Sequence, residues 1–225
     1  MDGILLVDKP EGWTSHDVVA KVRGIIKAET GQRIKIGHTG TLDPAATGLL
    51  VLVLGSYTKR AGEFSQLDKV YEAEMTLGYT STTGDREGEL TKVSDKPPAK
   101  PAAEAALDRF KGEILQKPHK YSAVKIGGQR AYKAARAGIT VEIEPRKVKI
   151  YEITDVKYEY PKLSFTCKVS SGTYIRSLAE DIGAALGTGA YLSTLRRTQV
   201  GGFSVVDALK TEVLDCTNIS NHLAN

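Results

Sequence analysis

Cysteine is scarce in this chain: Cys167 and Cys216 are the only two in 225 residues, and they suit neither a disulfide framework nor, with only four histidines, any zinc-ligand spacing. Long apolar runs are missing as well. No stretch approaches the roughly 18 residues of a membrane-spanning helix. The N-terminus, MDGILLVDKP, has an acid at position 2 and no basic region ahead of its short apolar segment, so it does not read as a secretory signal. The Gly-Lys-Ser/Thr of a P-loop, a G-x-G-x-x-G fingerprint, G-x-S-x-G and H-E-x-x-H are all absent. Together these absences predict a cytosolic protein with buried or idle thiols, and they remove the common nucleotide-cofactor, hydrolase and metalloenzyme classes.

What is present is an ordinary globular composition, 41% apolar and 26% charged, with a formal net charge of +4. At this length the chain can bury a substantial core, and one compact domain over 1–225 is expected. The charge is unevenly placed. Residues 111–150 carry ten Lys/Arg against three acids, which makes that segment +7 and the remainder −3. Such a segment is either a solvated basic face or a surface that tracks phosphates; Tyr121, Tyr132 and His119, interleaved with the cations, would supply stacking in the second case.

Periodicity organises the rest. GILLVD (3–8) reads as a buried strand, followed by a helix capped by Thr14 or Ser15 with Val18, Val19, Val22, Ile25 and Ile26 on one face. LLVLVLG is strand-like, SYTKRAGEFSQL helical and KVYEAEMTLG a strand, while SDKPPAKP (94–101) is a surface linker. PAAEAALDRFKGEIL predicts one helix with Ala103, Ala106, Leu107, Phe110 and Ile114 on its stripe. YSAVKI, Gly127-Gly128 and RAYKAARAG suggest strand, turn and helix. KLSFTCKVSS alternates cleanly and puts Cys167 in the core. Ile175, Leu178, Ile182 and Leu186 make a helical stripe after Gly172, and LSTLRRTQVGGFSV reads as one more strand. Strands and helices mix without a βαβ repeat, which predicts an α+β fold around a mixed sheet.

The segment GHTGTLDPAATGLL (37–50) concentrates three glycines, one proline and one carboxylate, Asp43. Pro44 steers Asp43 away from the α region, and Gly37, Gly40 and Gly48 permit tight bends around it. An aspartate so held can serve as an Asx-turn acceptor or helix cap as well as a catalyst, and the local pattern leaves both open.

Five collinear segments resemble signatures of the TruB family of pseudouridine synthases. GHTGTLDPAATG is similar to its catalytic motif, and KPEGWTS (9–15) to its N-terminal Lys-Pro-x-Gly element. KVYEAEMTLGYTSTTGDREG (69–88), QKPHKYSAVKIGGQRAYKAARAG (116–138) and SSGTYIRSLAEDIG (170–183) are similar to three further signatures. The resemblance runs from about Gly3 to Leu214. It implies the pseudouridine synthase fold, α+β with a mostly antiparallel central sheet, and isomerisation of uridine-55 in the T-loop of tRNA after the base is flipped out. Uracil leaves ribose C1′, turns and reattaches through C5 with neither redox change nor hydrolysis, so no cofactor or metal is expected. A carboxylate beside an electron-poor anomeric carbon is also the device of glycosidases.

By this resemblance Asp43 is the nucleophile and Arg176 its ion-pair partner, which would favour the ionised carboxylate. Tyr71 is implied to stack on the uracil near the proton lost from C5, and His38 to fill the space left by the flipped base. Asp85 would lie close to the RNA and Leu195 against the target base, with Lys9, Lys120, Tyr121, Lys125 and Arg130 as further substrate contacts. The implied partner is the tRNA T-arm stem-loop, bound by a cytoplasmic monomer with no obligatory protein partner.

Two departures stand out. His119 and Lys120 follow Pro118 where many members have Pro-x before the tyrosine, which predicts altered RNA contact rather than lost chemistry. The chain ends at Asn225, where relatives usually continue into a small C-terminal RNA-binding module of the PUA type, expected to be absent here. Two rival readings remain: a relative working on rRNA within guide-RNA particles, against which the missing module argues, and an RNA-binding protein without catalysis, which would have no use for Asp43 beside an anionic polymer.

Overall fold

The computed structural model describes residues 1–117 and 144–224, together with the backbone of two short strands at Lys125–Ile126 and Gln129–Arg130. The chain forms two compact units, Met1–Tyr71 with Leu195–Asn225, and Glu72–Thr194.

The first unit begins with β1 (Gly3–Lys9) and α1 (Ser15–Thr30). Thr14 caps α1 as anticipated: its side chain accepts from the Asp17 amide while the Asp17 carboxylate accepts from the Thr14 amide, and Gly31 ends the helix in the left-handed region. Next come β2 (Ile36–His38) and β3 (Thr47–Leu54), which pair antiparallel. Leu49 to Leu54 are all fully buried because both faces of β3 are covered. Leu50, Leu52 and Leu54 pack with Val18, Val22 and Ile26 of α1; Leu49, Val51 and Val53 pack with Phe64 and Val200. Each side chain so buried contributes about 2 kcal/mol. SYTKRAGEFSQL, read as one helix, divides into a 3₁₀ turn, Gly55–Arg60, and a short α2 (Ala61–Ser65). β4 (Lys69–Leu77) follows, and the division between the units falls inside it.

In the second unit a hairpin of β5 (Tyr79–Ser81) and β6 (Leu90–Lys92) precedes α3 (Lys100–Asp108). The helix expected over 101–115 stops at Asp108, and Gly112–Gln116 is a strand, β7, paired antiparallel with a later strand through Ile114↔Val148. Gly112, at φ +97°, permits the reversal, and the pairing with residues 30 or more positions away overrides the local helical stripe. The strands at Lys125–Ile126 and Gln129–Arg130 are β8 and β9. β10 (Arg146–Glu159) lies between β7 and β11 (Lys162–Val169); Leu163, Phe165, Cys167 and Val169 are buried on one face of β11, as the alternation predicted. Helix α4 (Ile175–Ala185) buries Ile175, Leu178 and Ile182.

β12 (Ala190–Val200) starts in the second unit and finishes in the first. Residues 190–204 are two strands instead of one: β12 turns at Gly201-Gly202 and pairs with β13 (Phe203–Ser204). In the first unit β12 runs parallel to β3, with Arg197 opposite Gly48, and β14 (Leu209–Lys210) runs parallel to β1. A final helix, α5 (Cys216–Asn221), contributes Ile219 to the core beneath α1. The architecture is α+β with mixed, mostly antiparallel strands, as expected. Among the described residues no helix is long and apolar enough to cross a membrane.

Candidate active site

Asp43 lies half-buried in the excursion 39–46 between β2 and β3, and the backbone on both sides of it is tied down. On the approach, the Thr39 amide donates to Val51 O at 3.1 Å. Leu42 is buried, its amide donates to Ser15 Oγ at 2.8 Å, and Ser15 Oγ donates back to Leu42 O at 3.1 Å. On the exit, Pro44 O accepts from the Gly12 amide at 2.9 Å and from Lys9 Nζ at 3.3 Å, while the Ala46 amide donates to Asp43 O at 3.1 Å. The carboxylate therefore extends from a loop whose neighbours have little freedom, the condition a reacting group needs to stay in register with its target.

Arg197, only 2% exposed, holds the two ends of this loop. Its Nε donates to Leu49 O at 2.8 Å and an Nη to Gly40 O at 3.0 Å. Gly48 is explained by the same strand: at φ +102° it lies so close to β12 that a Cβ would meet the Arg197 carbonyl oxygen at 2.3 Å.

Lys9 is fully buried at the end of β1, and its Nζ donates to Pro10 O (2.9 Å), Trp13 O (2.6 Å) and Pro44 O (3.3 Å). Three acceptors match the three protons of an ammonium. Burial pulls its pKa down to about 8, against the upward pull of the Asp43 charge. Lys69, whose Nζ donates to Ser65 O and Leu67 O, is likewise pulled down to about 8 by burial. Both values lie below that of a lysine in the unfolded chain. Between pH 8 and 9 the unfolded chain thus retains protons that the folded chain gives up, and stability is expected to rise by about 1–2 kcal/mol for the two together. From about pH 8 upward Cys167 partly opposes the trend, because burial lifts its thiol to about 12 and the unfolded thiol loses its proton first. Urea midpoints at pH 7, 8 and 9 measure this; a flat or falling series would show that neither lysine is depressed.

In the second unit Arg176 and Asp85 meet. Both are buried, and an Arg176 Nη donates to Asp85 Oδ2 at 3.3 Å and to Thr83 O at 3.0 Å. The other carboxylate oxygen of Asp85 accepts from Thr83 Oγ1 at 2.6 Å and from the Glu87 amide at 3.1 Å. Gln116, almost wholly buried on β7, fixes the start of α4: its side chain donates to Tyr174 O at 3.0 Å and accepts from the Tyr174 amide at 2.7 Å. Ser177 Oγ adds a bond to Lys117 O at 3.0 Å. Arg176 thus enters its site from a helix end clamped to the sheet.

Of the remaining site residues read from sequence, His38 is half-buried in β2 opposite Leu52, Tyr71 is buried in β4 and Leu195 is half-buried in β12. Lys120 and Tyr121 lie outside the described residues. Lys125 and Arg130 are described by their backbone, where they are direct cross-strand partners of β8 and β9. Ser15, Arg197 and Gln116 escaped the sequence reading. Only Ser15 had a signal, its place at the start of a capped helix.

Residues 23–175 match the model of the TruB family pseudouridylate synthase N-terminal domain. The chain belongs to the TruB family. Residues 176–222 match the tRNA pseudouridylate synthase B C-terminal domain, so Asp43, Tyr71 and Asp85 fall in the first region and Arg176 and Leu195 in the second. The chain is 46% identical over 215 residues to tRNA pseudouridine synthase B of Burkholderia mallei (strain NCTC 10247), covering 96% of this chain and 70% of that protein. To the protein of the same name from Clostridium kluyveri it is 44% identical over 223 residues, covering 99% and 75%. Among solved structures it matches a chain of a Cbf5–Nop10–Gar1 complex with a TM-score of 0.71 and 33% identity, covering 93% of this chain and 52% of that one. A chain of an H/ACA RNP bound to a substrate RNA containing 2′-deoxyuridine gives 0.68 and 31%, covering 93% and 51%. The chain spans about half the length of these solved chains. It has the pseudouridine synthase fold, and TruB membership makes it a pseudouridine synthase, an isomerase.

Proposed function

We propose that this TruB-family chain isomerises uridine-55 in the T-loop of tRNA, as a cytoplasmic monomer whose residues 1–225 act as one catalytic domain. The observation that carries the reading is the pinned, half-exposed Asp43 loop in a chain so similar to proteins named tRNA pseudouridine synthase B. Asp43 supplies the carboxylate that assists breakage of the C1′–N1 bond of a flipped-out uridine. The freed uracil turns on Tyr71, a C1′–C5 bond forms, the C5 proton is lost and N1 regains a proton. Every atom of the substrate is retained apart from exchangeable protons, so the chemistry calls for no cofactor. Arg176 is assigned to electrostatic support, His38 to the space vacated by the base, and Asp85 and Leu195 to the surroundings of the target nucleotide. Lys9, with its ammonium held on three carbonyls, is assigned to shaping the site from beneath. A T-arm stem-loop carrying tritium at C5 of the target uridine alone provides the test. The reading expects release into solvent with one pseudouridine formed there; modification confined to other uridines, or none, would overturn it.

The basic segment is assigned to the RNA backbone. Lys125 and Arg130 share one register position in β8–β9. Replacing Lys120, Lys125 and Arg130 with alanine is expected to weaken T-arm binding and to flatten the slope of log affinity against log salt by roughly 2–3. A slope equal to that of the unaltered chain would mark this face as merely solvated.

A further inference from the structure

We infer that Arg197 is a positioning residue for the reaction, holding Asp43 at its working distance by clamping both ends of the loop that carries it; this rests on the reading of Asp43 as the reacting carboxylate. The side chain is charged yet almost wholly buried, and its planar fork reaches two carbonyls nine residues apart, Gly40 O and Leu49 O, one on each side of Asp43. Those carbonyls lie 157 and 148 positions away in the chain, so no local element could bring them together. The fit is close on the loop side: a Cβ at Gly40 would meet an Nη of Arg197 at 3.3 Å, and one at Gly48 would strike its backbone. A lysine would keep the charge but lacks the rigid fork that spans both acceptors. A hydrophobic strand residue could fill the same volume without reaching either carbonyl. Arginine at this position therefore ties strand β12 to the geometry of the Asp43 loop.

Arg197→Lys and Gly40→Ala perturb the clamp from opposite sides, the second with Arg197 and its charge retained. For folded protein, Arg197→Lys is expected to lower kcat for the T-arm stem-loop roughly a hundredfold, the scale of a misplacement of about 1 Å, with RNA affinity within about twofold of the parent. Gly40→Ala is expected to lower kcat about tenfold, and to cost little further in the Arg197→Lys background, because both act through one contact. Amide exchange gives a readout independent of activity: the Leu42 and Ala46 amides should lose at least about tenfold in protection while amides of β1 and β3 keep theirs. Loss of kcat that merely follows the folded fraction, or unchanged Leu42 and Ala46 protection in Gly40→Ala, would overturn the inference. Should Arg197→Lys not fold, Gly40→Ala decides alone. If the parent chain itself releases no tritium, the functional reading fails, while exchange at Leu42 and Ala46 still decides whether Arg197 sets the loop.

Discussion

Asp43→Asn is expected to suppress tritium release from the T-arm stem-loop by at least roughly a thousandfold, with thermal stability close to that of the parent. The substitution is nearly isosteric and removes the charge and nucleophilicity of one side chain. The hydrogen bonds that hold the loop come from the backbone of Leu42, Pro44 and Ala46 and from Ser15, Gly12, Lys9 and Arg197, none of which the change deletes. RNA binding should persist, because losing a negative charge beside an anionic polymer does not weaken association. Single-turnover release from matched concentrations, together with melting curves and filter binding, makes the comparison. Equal release from the two proteins would remove Asp43 from the chemistry, and a melting temperature lowered by many degrees would show that the carboxylate is chiefly structural.

Arg176→Met is expected to cost about 3–5 kcal/mol of stability as well as activity, because it leaves the buried Asp85 carboxylate without its cation. Thr83 Oγ1 and the Glu87 amide still hold one carboxylate oxygen, which limits the loss. Asp85→Asn should cost less, since its one amide oxygen can still accept from the guanidinium, which also keeps Thr83 O, while the amide nitrogen takes the place of the oxygen that accepts from Thr83 Oγ1 and the Glu87 amide. Urea unfolding at pH 7 supplies the numbers. A loss under about 1 kcal/mol for Arg176→Met would mean that the pair is screened like a surface one. The two variants thus separate roles: Asp43 is expected to matter for rate alone, Arg176 for rate and fold together.

Much of the architecture was legible in the sequence wherever the signal was local. The N-cap at Thr14, one of the two residues the sequence offers, the alternation of β11 and the stripe of Ile175, Leu178 and Ile182 in α4 each depend on residues a few positions apart, and each is found in the structure. The failures are non-local. Ile114 continues a helical stripe on paper, yet Glu113, Ile114 and Leu115 pair with β10, and β10 itself passed unnoticed because its register with β7 and β11 is set by strands distant in sequence.

The candidate site divides in the same way. Sequence alone determined that Asp43 precedes a proline among glycines, that this segment is one of five collinear family signatures, and that the cations cluster in 111–150. It also determined that Asp43's backbone is restricted, since Pro44 acts on its immediate neighbour. Tertiary structure alone decided what the restriction serves. Ser15 grips Leu42 across 27 positions, Lys9 reaches Pro44 across 35, and Arg197 spans the loop from the far end of the chain. It likewise decided that Arg176 meets Asp85 across 91 positions in a buried pair. The physical reason is that a hydrogen bond or ion pair selects its partner by distance and direction in space, and only packing of the strands brings such partners within reach.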